Sequence, residues 1–523
     1  MNEILWRLIA TFLTAFLLLG MTGKMMGALQ QSGYQNKQFI KWLKRKDNLA
    51  FNRLWVFSLT LALLVAVFPL SFSFLGKKVA LLLAGFPYVG AFALYYYADG
   101  KYALKVALES TGRVKRLFIG LFVLLALVSY SWIALLFFLA KVINSPIYGL
   151  LAYVPVALLP MGLPYFLVLT NKITSIFENR RNAKFVKRAG QVLDETQIIR
   201  IGIVGSYGKT SVKNILATLL SEKYAVVASP ASYNTPIGIA KTVFSSGFCE
   251  KQIFIAEMGA RKEGDIVELC QLVKPDYAIL TGICEQHVQG FGSIENVWKE
   301  KSQILAYAKK TVCRRDLADT EATIPPVSVK NAHFGAMASA FELSLYGEWI
   351  PVRTKLLGVA GAENIALAVA LCVELGLTAE EIVRGIEKLE PIPHRLSLME
   401  KRGIYILDDG YNSNPVGARE ALEALKRFGG RKCVVTPGLV ECGVLEEKLN
   451  GELGAEIAEG GFDKVILVGE TLVGCVKNGY LTAGGDAERL TVVKTLADAQ
   501  TLLGEWLERG DAVLFLNDLP DVY

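Results

Sequence analysis

Apolar positions fall into two regimes along this chain of 523 residues. Up to about residue 170 they form long runs, whereas beyond about 190 they come in short runs between amphipathic stretches. Five of the long runs, at 4–21, 54–74, 79–97, 117–140 and 147–170, are long enough to cross the roughly 30 Å hydrocarbon core of a bilayer as helices. Arg7 lies early in the first run, as in a signal peptide, but no small-residue cleavage site follows, so a retained helix is expected. The last run contains Pro155, Pro160 and Pro164 and is expected to kink or re-enter. The pattern predicts an N-terminal α-helical transmembrane bundle over residues 1–175.

Basic residues between the runs orient this bundle. Segment 22–53 holds Lys24, Lys37, Lys41, Lys44, Arg45, Lys46 and Arg53, and segment 98–116 holds Lys101, Lys105, Arg113, Lys115 and Arg116. The turns near 75–78 and 141–146 carry only Lys77, Lys78 and Lys141. Positive-inside bias puts the two richer segments in the cytoplasm, and five spans then deliver residue 171 onward to the same side. A multi-pass protein of the plasma membrane with its later domains in the cytoplasm is expected.

The second regime predicts α/β structure. Residues 200–204, 253–256 and 277–281 read as buried strands and 210–222 as a helix, the alternation of a parallel sheet covered by helices. Pro391-Ile392-Pro393 then breaks the pattern. Beyond it, strands at 405–407, 433–436, 465–468 and 512–516 alternate with helices at 417–427, 448–459 and 497–509. Two domains are expected, 190–390 and 391–523. Thr378 and Glu381 form a capping-box pair that opens a helix.

Composition narrows the setting. Apolar residues make up 52% and charged residues 20%, too apolar for an ordinary soluble enzyme. The net charge of +7 is accounted for by the loops beside the apolar runs, and no nucleic-acid partner is implied. Eight cysteines without a C-x-x-C pair argue for reduced thiols and against a disulfide framework or zinc ribbon.

Candidate chemistry begins where the strand at 200–204 ends. Gly205-Ser206-Tyr207-Gly208-Lys209-Thr210-Ser211 joins that strand to a helix, the arrangement of a phosphate cradle. Glycines admit phosphate oxygens to backbone N–H groups, Lys209 reaches the terminal phosphates, and the Thr210 hydroxyl suits Mg²⁺. The general motif has four residues between its first glycine and Gly-Lys, but Gly205 and Gly208 enclose only Ser206 and Tyr207. Glu257 follows an apolar strand and reads either as a metal ligand or as a solvated loop carboxylate. His287, in the glycine-rich loop 286–292, reads equally as functional or structural. Lys301, in a charged helix, reads by itself as a solvated lysine, and Arg395 as a surface arginine at a hinge.

Six motifs taken together add a resemblance. They are 205–211, Asn234-Thr235-Pro236-Ile237-Gly238, Glu257-Met258-Gly259-Ala260, 287–292, Lys301-Ser302-Gln303-Ile304 and Asp408-Asp409-Gly410-Tyr411-Asn412-Ser413-Asn414-Pro415. In order and spacing over about 200–515 they resemble the Mur ligase superfamily, most closely its MurF branch, whose phosphate loop has this short form. The resemblance implies a central ATPase domain followed by a Rossmann-like domain that closes over ATP. It implies that Gly205, Ser206, Gly208, Lys209, Thr210 and Ser211 hold ATP, with Asn234 near the nucleotide and Asn364 near adenine. It also implies that Thr210 and Glu257 hold one Mg²⁺, and that His287 and a carbamylated Lys301 serve a second. In the C-terminal domain it puts Arg395 by the γ-phosphate and Asp409 at the ribose, with Asn412 and Asn414 on the closing face. The chain departs from the family at Glu363-Asn364-Ile365-Ala366-Leu367, where a His-Asn pair and a second Asn are usual. It departs again at Asn517-Asp518-Leu519-Pro520, where Lys-Gly-Ser is usual.

The implied activity is ATP-dependent amide ligation in cell-wall or envelope precursor synthesis. A carboxylate is joined to an amino acid or dipeptide through an acyl phosphate. MurF enzymes carry a soluble domain for the UDP-muramoyl peptide ahead of this core, where this chain has apolar runs. A substrate on a polyprenyl carrier in the lipid bilayer is therefore expected. The rival readings are a poly-γ-glutamate synthase, a lipid-II amidating ligase and an inactive ATP-binding membrane scaffold. The missing four-cysteine ribbon counts against the second of these. Lys209, Thr210, Glu257, His287 and Lys301 count against the third.

Overall fold

The structure is a computed structural model. It describes residues 3–44, 49–71, 90, 92–97, 107–142, 157–231, 233–285, 288–314, 317, 322–325, 327–411, 413–440, 442–469 and 471–517. Contacts divide the chain into two compact units, with the boundary after Arg181, inside the helix Leu159–Glu195.

The first unit is helical. Its helices are Glu3–Gly20, Gly23–Gln31, Asn36–Leu43, Leu49–Ser71, Gly112–Val142 and the first part of Leu159–Glu195, which holds Pro164. Leu18, Met26, Leu29, Phe39, Leu117, Leu121, Leu163 and Leu167 pack inside it. Phe12, Phe16, Val56, Leu63, Ile119, Leu127 and Phe138 face outward, so apolar residues cover the surface as well as the core. Among the described residues, one helix, Gly112–Leu135, is long and apolar enough to cross a membrane. Only 28% of its most apolar window is buried, unlike the core helix of a soluble protein. Helices Arg7–Gly20 and Gly23–Gln31 meet at 49° and add a second span if the bent pair is one crossing. Leu54–Leu64 is a shorter apolar helix. Most of the run expected at 79–97, and 147–156 of the last run, lie outside the described residues.

The two segments richest in basic residues meet each other and the helix Leu159–Glu195 in this unit. Gln30 and Glu109 exchange two hydrogen bonds of 3.0 Å. Asn171 Nδ2 donates to the Tyr34 carbonyl at 2.9 Å and to Asn36 Oδ1 at 2.7 Å. Arg113 lies 3.8 Å from the centre of the Tyr34 ring. The buried Glu178 carboxylate takes both Arg116 and Arg181.

Among the described residues, the second unit contains three sheets. A five-stranded parallel sheet has the order β2-β3-β1-β4-β5, from Val226–Ala228, Ile253–Glu257, Ile199–Val204, Tyr277–Leu280 and Lys310–Cys313. β3 is buried at every position, as a strand covered on both faces must be. Helix Lys209–Leu220 lies on one face, and Val212, Ile215, Leu216 and Leu219 share a core with helices Gly358–Glu374 and Ala379–Glu387. The capping box of Thr378 and Glu381 is present. β6 to β8 (Val329–Phe334, Ser339–Leu345 and Glu348–Thr354) form an antiparallel sheet that the apolar pattern did not predict.

The last domain has a six-stranded sheet ordered β13-β12-β11-β14-β10-β9. β10 to β14 are Ile404–Asp409, Lys432–Thr436, Lys464–Val468, Leu490–Val493 and Ala512–Leu516. β9, Ser397–Lys401, is an antiparallel edge. Helix Gly358–Glu374 packs against Pro415–Lys426, and the turn Gly443–Leu445 packs against the short helix Val288–Phe291, so this domain sits on the central one.

Candidate active site

Adjacent parallel strands bring the first functional groups together. In the β1–β3 register Ile203 lies beside Glu257, so the phosphate loop and the acidic loop leave one edge of the sheet side by side. Ser206 N donates to the Gly282 carbonyl at 2.7 Å, which ties the loop to the end of β4. A Cβ on Gly205 would stand 1.9 Å from Thr281 Oγ1, so only glycine fits there. Gly208 has φ +81 and a would-be Cβ 2.9 Å from Asn364 Oδ1, a conformation and a contact that both demand glycine. It caps helix Lys209–Leu220, whose N-terminal amides and dipole suit an anion. The same contact puts Asn364 against the loop.

Lys209 Nζ donates to the carbonyls of Gly205 at 2.7 Å and Ser206 at 3.1 Å. Burial lowers the ammonium below its ordinary pKa; Glu257 opposes that shift and Arg395 adds to it. Thr210 Oγ1 donates to Glu257 Oε2 at 3.0 Å, and Asn234 Nδ2 donates to Oε1 at 3.2 Å. Glu257 is 2% exposed. Burial pushes its carboxyl up, but Lys213 and Lys209 outweigh that and hold it below its usual range. A carboxylate beside a hydroxyl is a hard oxygen pair that fits Mg²⁺.

Lys301 is 1% exposed, and its Nζ donates to Ser206 Oγ at 2.9 Å and the Gly205 carbonyl at 3.2 Å. It is therefore part of the site floor and not a solvated lysine. His287 and Asn412 lie outside the described residues. Among the described residues, no group of three or more His, Cys, Asp and Glu side chains gathers as a metal nest.

The C-terminal domain brings in Arg395, whose guanidinium lies 4.4 Å from the centre of the Tyr411 ring and whose charge reaches Lys209 and Asp409. It sits between His394 and Leu396, both in left-handed backbone, at φ 62 and 48. Such strain is kept where surrounding contacts over-determine it. Asp409 accepts Leu396 N at 3.0 Å and Ser413 Oγ at 3.2 Å. Burial raises its carboxyl to about 6, against the pull of Arg395. Asn414 Oδ1 accepts Val416 N and Gly417 N at 3.1 Å, which makes it a helix cap. Ser211 lies in the first turn of the loop helix.

Sequence reasoning missed Lys213, 1% exposed and 3.0 Å from Glu257 Oε2. Its signal was a lysine four residues after Lys209, among the buried positions Val212, Ile215 and Leu216. It also missed Thr281, whose hydroxyl donates to the Val204 carbonyl at 3.2 Å and to that of Tyr207.

Comparison with known proteins places this geometry. Residues 203–372 match the Mur ligase middle domain and 394–517 match the Mur ligase, glutamate ligase domain. The UDP-N-acetylmuramoyl-tripeptide–D-alanyl-D-alanine ligase of Treponema pallidum is 30% identical, with 61% of this chain and 71% of that one covered. The enzyme of the same name from Bacillus subtilis is 27% identical, with 60% and 72% covered. Among solved structures, MurF from Acinetobacter baumannii superposes with a TM-score of 0.59 at 23% identity, covering 64% of this chain and 77% of that one. MurF from Thermotoga maritima in complex with ADP gives 0.58 at 24%, covering 64% and 80%. On these matches the chain belongs to the Mur ligase family and is an ATP-dependent ligase that forms ADP and phosphate.

Proposed function

We propose that this protein is a membrane-embedded ligase that joins a carboxylate of a cell-wall precursor to the amine of an amino acid or dipeptide. The observation that carries the reading is the meeting of Lys209, the Thr210–Glu257 pair and Lys301 at one loop, under Arg395 from the closing domain. The substrate carboxylate attacks the γ-phosphate of ATP, ADP leaves, and the acyl phosphate is displaced by the amine with loss of phosphate. Lys209 and Arg395 hold and neutralise the phosphates, and the loop amides orient them. Mg²⁺ on Thr210 and Glu257 would supply charge neutralisation, and His287 with a carbamylated Lys301 would serve a second ion. Asn234 orients Glu257, while Asp409 faces the ribose.

The names of the Treponema pallidum and Bacillus subtilis relatives point to D-alanyl-D-alanine as the amine and to a muramoyl tripeptide as the donor. The outward apolar faces of the first unit support a multi-pass membrane domain. With such a domain preceding the ligase, the donor is read as lipid-linked, on a polyprenyl carrier, with the ligase unit in the cytoplasm. The test measures ADP release by the full chain in detergent with D-alanyl-D-alanine and either a lipid-linked or a UDP-linked muramoyl tripeptide. Preference for the lipid-linked donor is expected. Equal or better turnover of the UDP-linked donor would refute the lipid reading and leave the ligase reading intact.

A further inference from the structure

Glu257 has a countercharge supplied by the chain itself. Its Oε2 takes Lys213 Nζ at 3.0 Å as well as the Thr210 hydroxyl at 3.0 Å, and both charged side chains are 2% exposed. Lys213 is held in turn by the Ala231 carbonyl, presented from left-handed backbone at φ 42. On the other side, Asn234 fixes Oε1 at 3.2 Å, and Ser229 Oγ accepts the Glu257 backbone N–H at 3.1 Å. Lys209 adds a second positive charge acting on the same carboxylate. Two lysines thus face one carboxylate, a net positive centre in a buried setting where like charges repel strongly.

We propose that Lys213 is a resident countercharge that keeps Glu257 from holding a divalent cation on its own, so that metal enters this centre only with the nucleotide's phosphates. A bare divalent ion would add to the positive charge of the two lysines, whereas metal carried on a triphosphate arrives with a net negative charge. Lys213 thereby acts as a positioning residue. It keeps Glu257 aimed at Thr210, and it imposes an order in which free metal does not precede nucleotide. The inference rests on the reading of Thr210 and Glu257 as the metal pair.

The test is Mn²⁺ binding to the full chain in detergent, read by the electron-spin-resonance signal of free Mn²⁺, with and without ADP. The unaltered chain is expected to bind Mn²⁺ weakly alone and well with ADP. Lys213→Met is expected to bind one Mn²⁺ about tenfold or more tighter without nucleotide, because the buried carboxylate has lost its partner. The double variant Lys213→Met/Glu257→Gln is expected to lose that gain. If Lys213→Met proves too unstable to purify, replacing Lys213 by acetyl-lysine removes the charge at nearly the same length and gives the same comparison. Binding no tighter than that of the unaltered chain overturns the inference while leaving the metal pair standing. Mn²⁺ that binds with ADP and survives Glu257→Gln refutes the metal pair and the inference with it. A merely structural lysine would move stability but would not raise nucleotide-free metal affinity.

Discussion

The hydroxyl of Thr210 donates to Glu257 Oε2 at 3.0 Å, across 47 residues of sequence. One group opens the helix after the phosphate loop and the other ends the neighbouring strand, so the pair exists only when β1 and β3 are in register. On the proposed metal reading, replacing either side chain by a near-isostere removes a ligand without changing shape much. Thr210→Val and Glu257→Gln are each expected to lower ADP release about 100-fold or more at saturating Mg·ATP. Thr210→Val should leave the unfolding midpoint near that of the unaltered chain, whereas Glu257→Gln leaves Lys213 buried without its anion and should lower it.

Lys301 tests the floor of the site. Lys301→Ala should lose about 100-fold or more of ADP release, since a buried amine 2.9 Å from the Ser206 hydroxyl is removed from the phosphate loop. A carbamylated Lys301 further requires that activity fall when bicarbonate is stripped and return when it is restored. Intact-mass measurement of a bare amine in fully active protein would exclude the modification.

Asp409 sets a pH dependence. Its folded pKa of about 6 lies above the unfolded value of 3.8. Between these values the unfolded chain releases a proton that the folded chain keeps, so this group's contribution to stability is present below pH 3.8 and is lost as pH rises through about 6. Asp409→Asn should abolish that loss. Denaturant midpoints of the two proteins, compared from pH 4 to 7, should show the variant gaining on the unaltered chain as pH rises. A constant difference would contradict the assignment.

Topology can be read from the contacts in the first unit. Gln30 binds Glu109 and Asn171 binds Asn36, so on the proposed membrane reading these four residues share one side of the bilayer. Single cysteines at Lys37, Ser110 and Lys184, in a chain without its own cysteines, should all resist an impermeant thiol reagent applied outside cells. All three should react once the membrane is opened. Labelling of Lys37 from outside would reverse the orientation.

The central sheet was legible because strands covered on both faces are continuous apolar runs, as at Ile253–Glu257, and the functional groups follow directly where those runs stop. Edge strands were not. Leu490–Val493 and Ser397–Lys401 are short and partly exposed, and only backbone pairing to a neighbour defines them. The antiparallel sheet over 329–354 was also missed, although Ser339–Leu345 alternates buried and exposed positions as a half-covered strand should. In the site, motif order located Lys209, Thr210 and Glu257, but Lys213 looked like one more lysine on a helix. What distinguishes it is a partner in another strand, a relation no local pattern contains.

The register of β1 on β3 has a consequence for how the protein is made. The phosphate loop, the carboxylate and Lys301 come from separate strand ends and a helix, and Arg395 and Asp409 come from a domain synthesised later still. The strands that pair Lys213 with Glu257 are therefore synthesised before the segment that supplies Arg395 and Asp409. The order of domains along the chain thus makes the residues of the last domain the final ones to join this site.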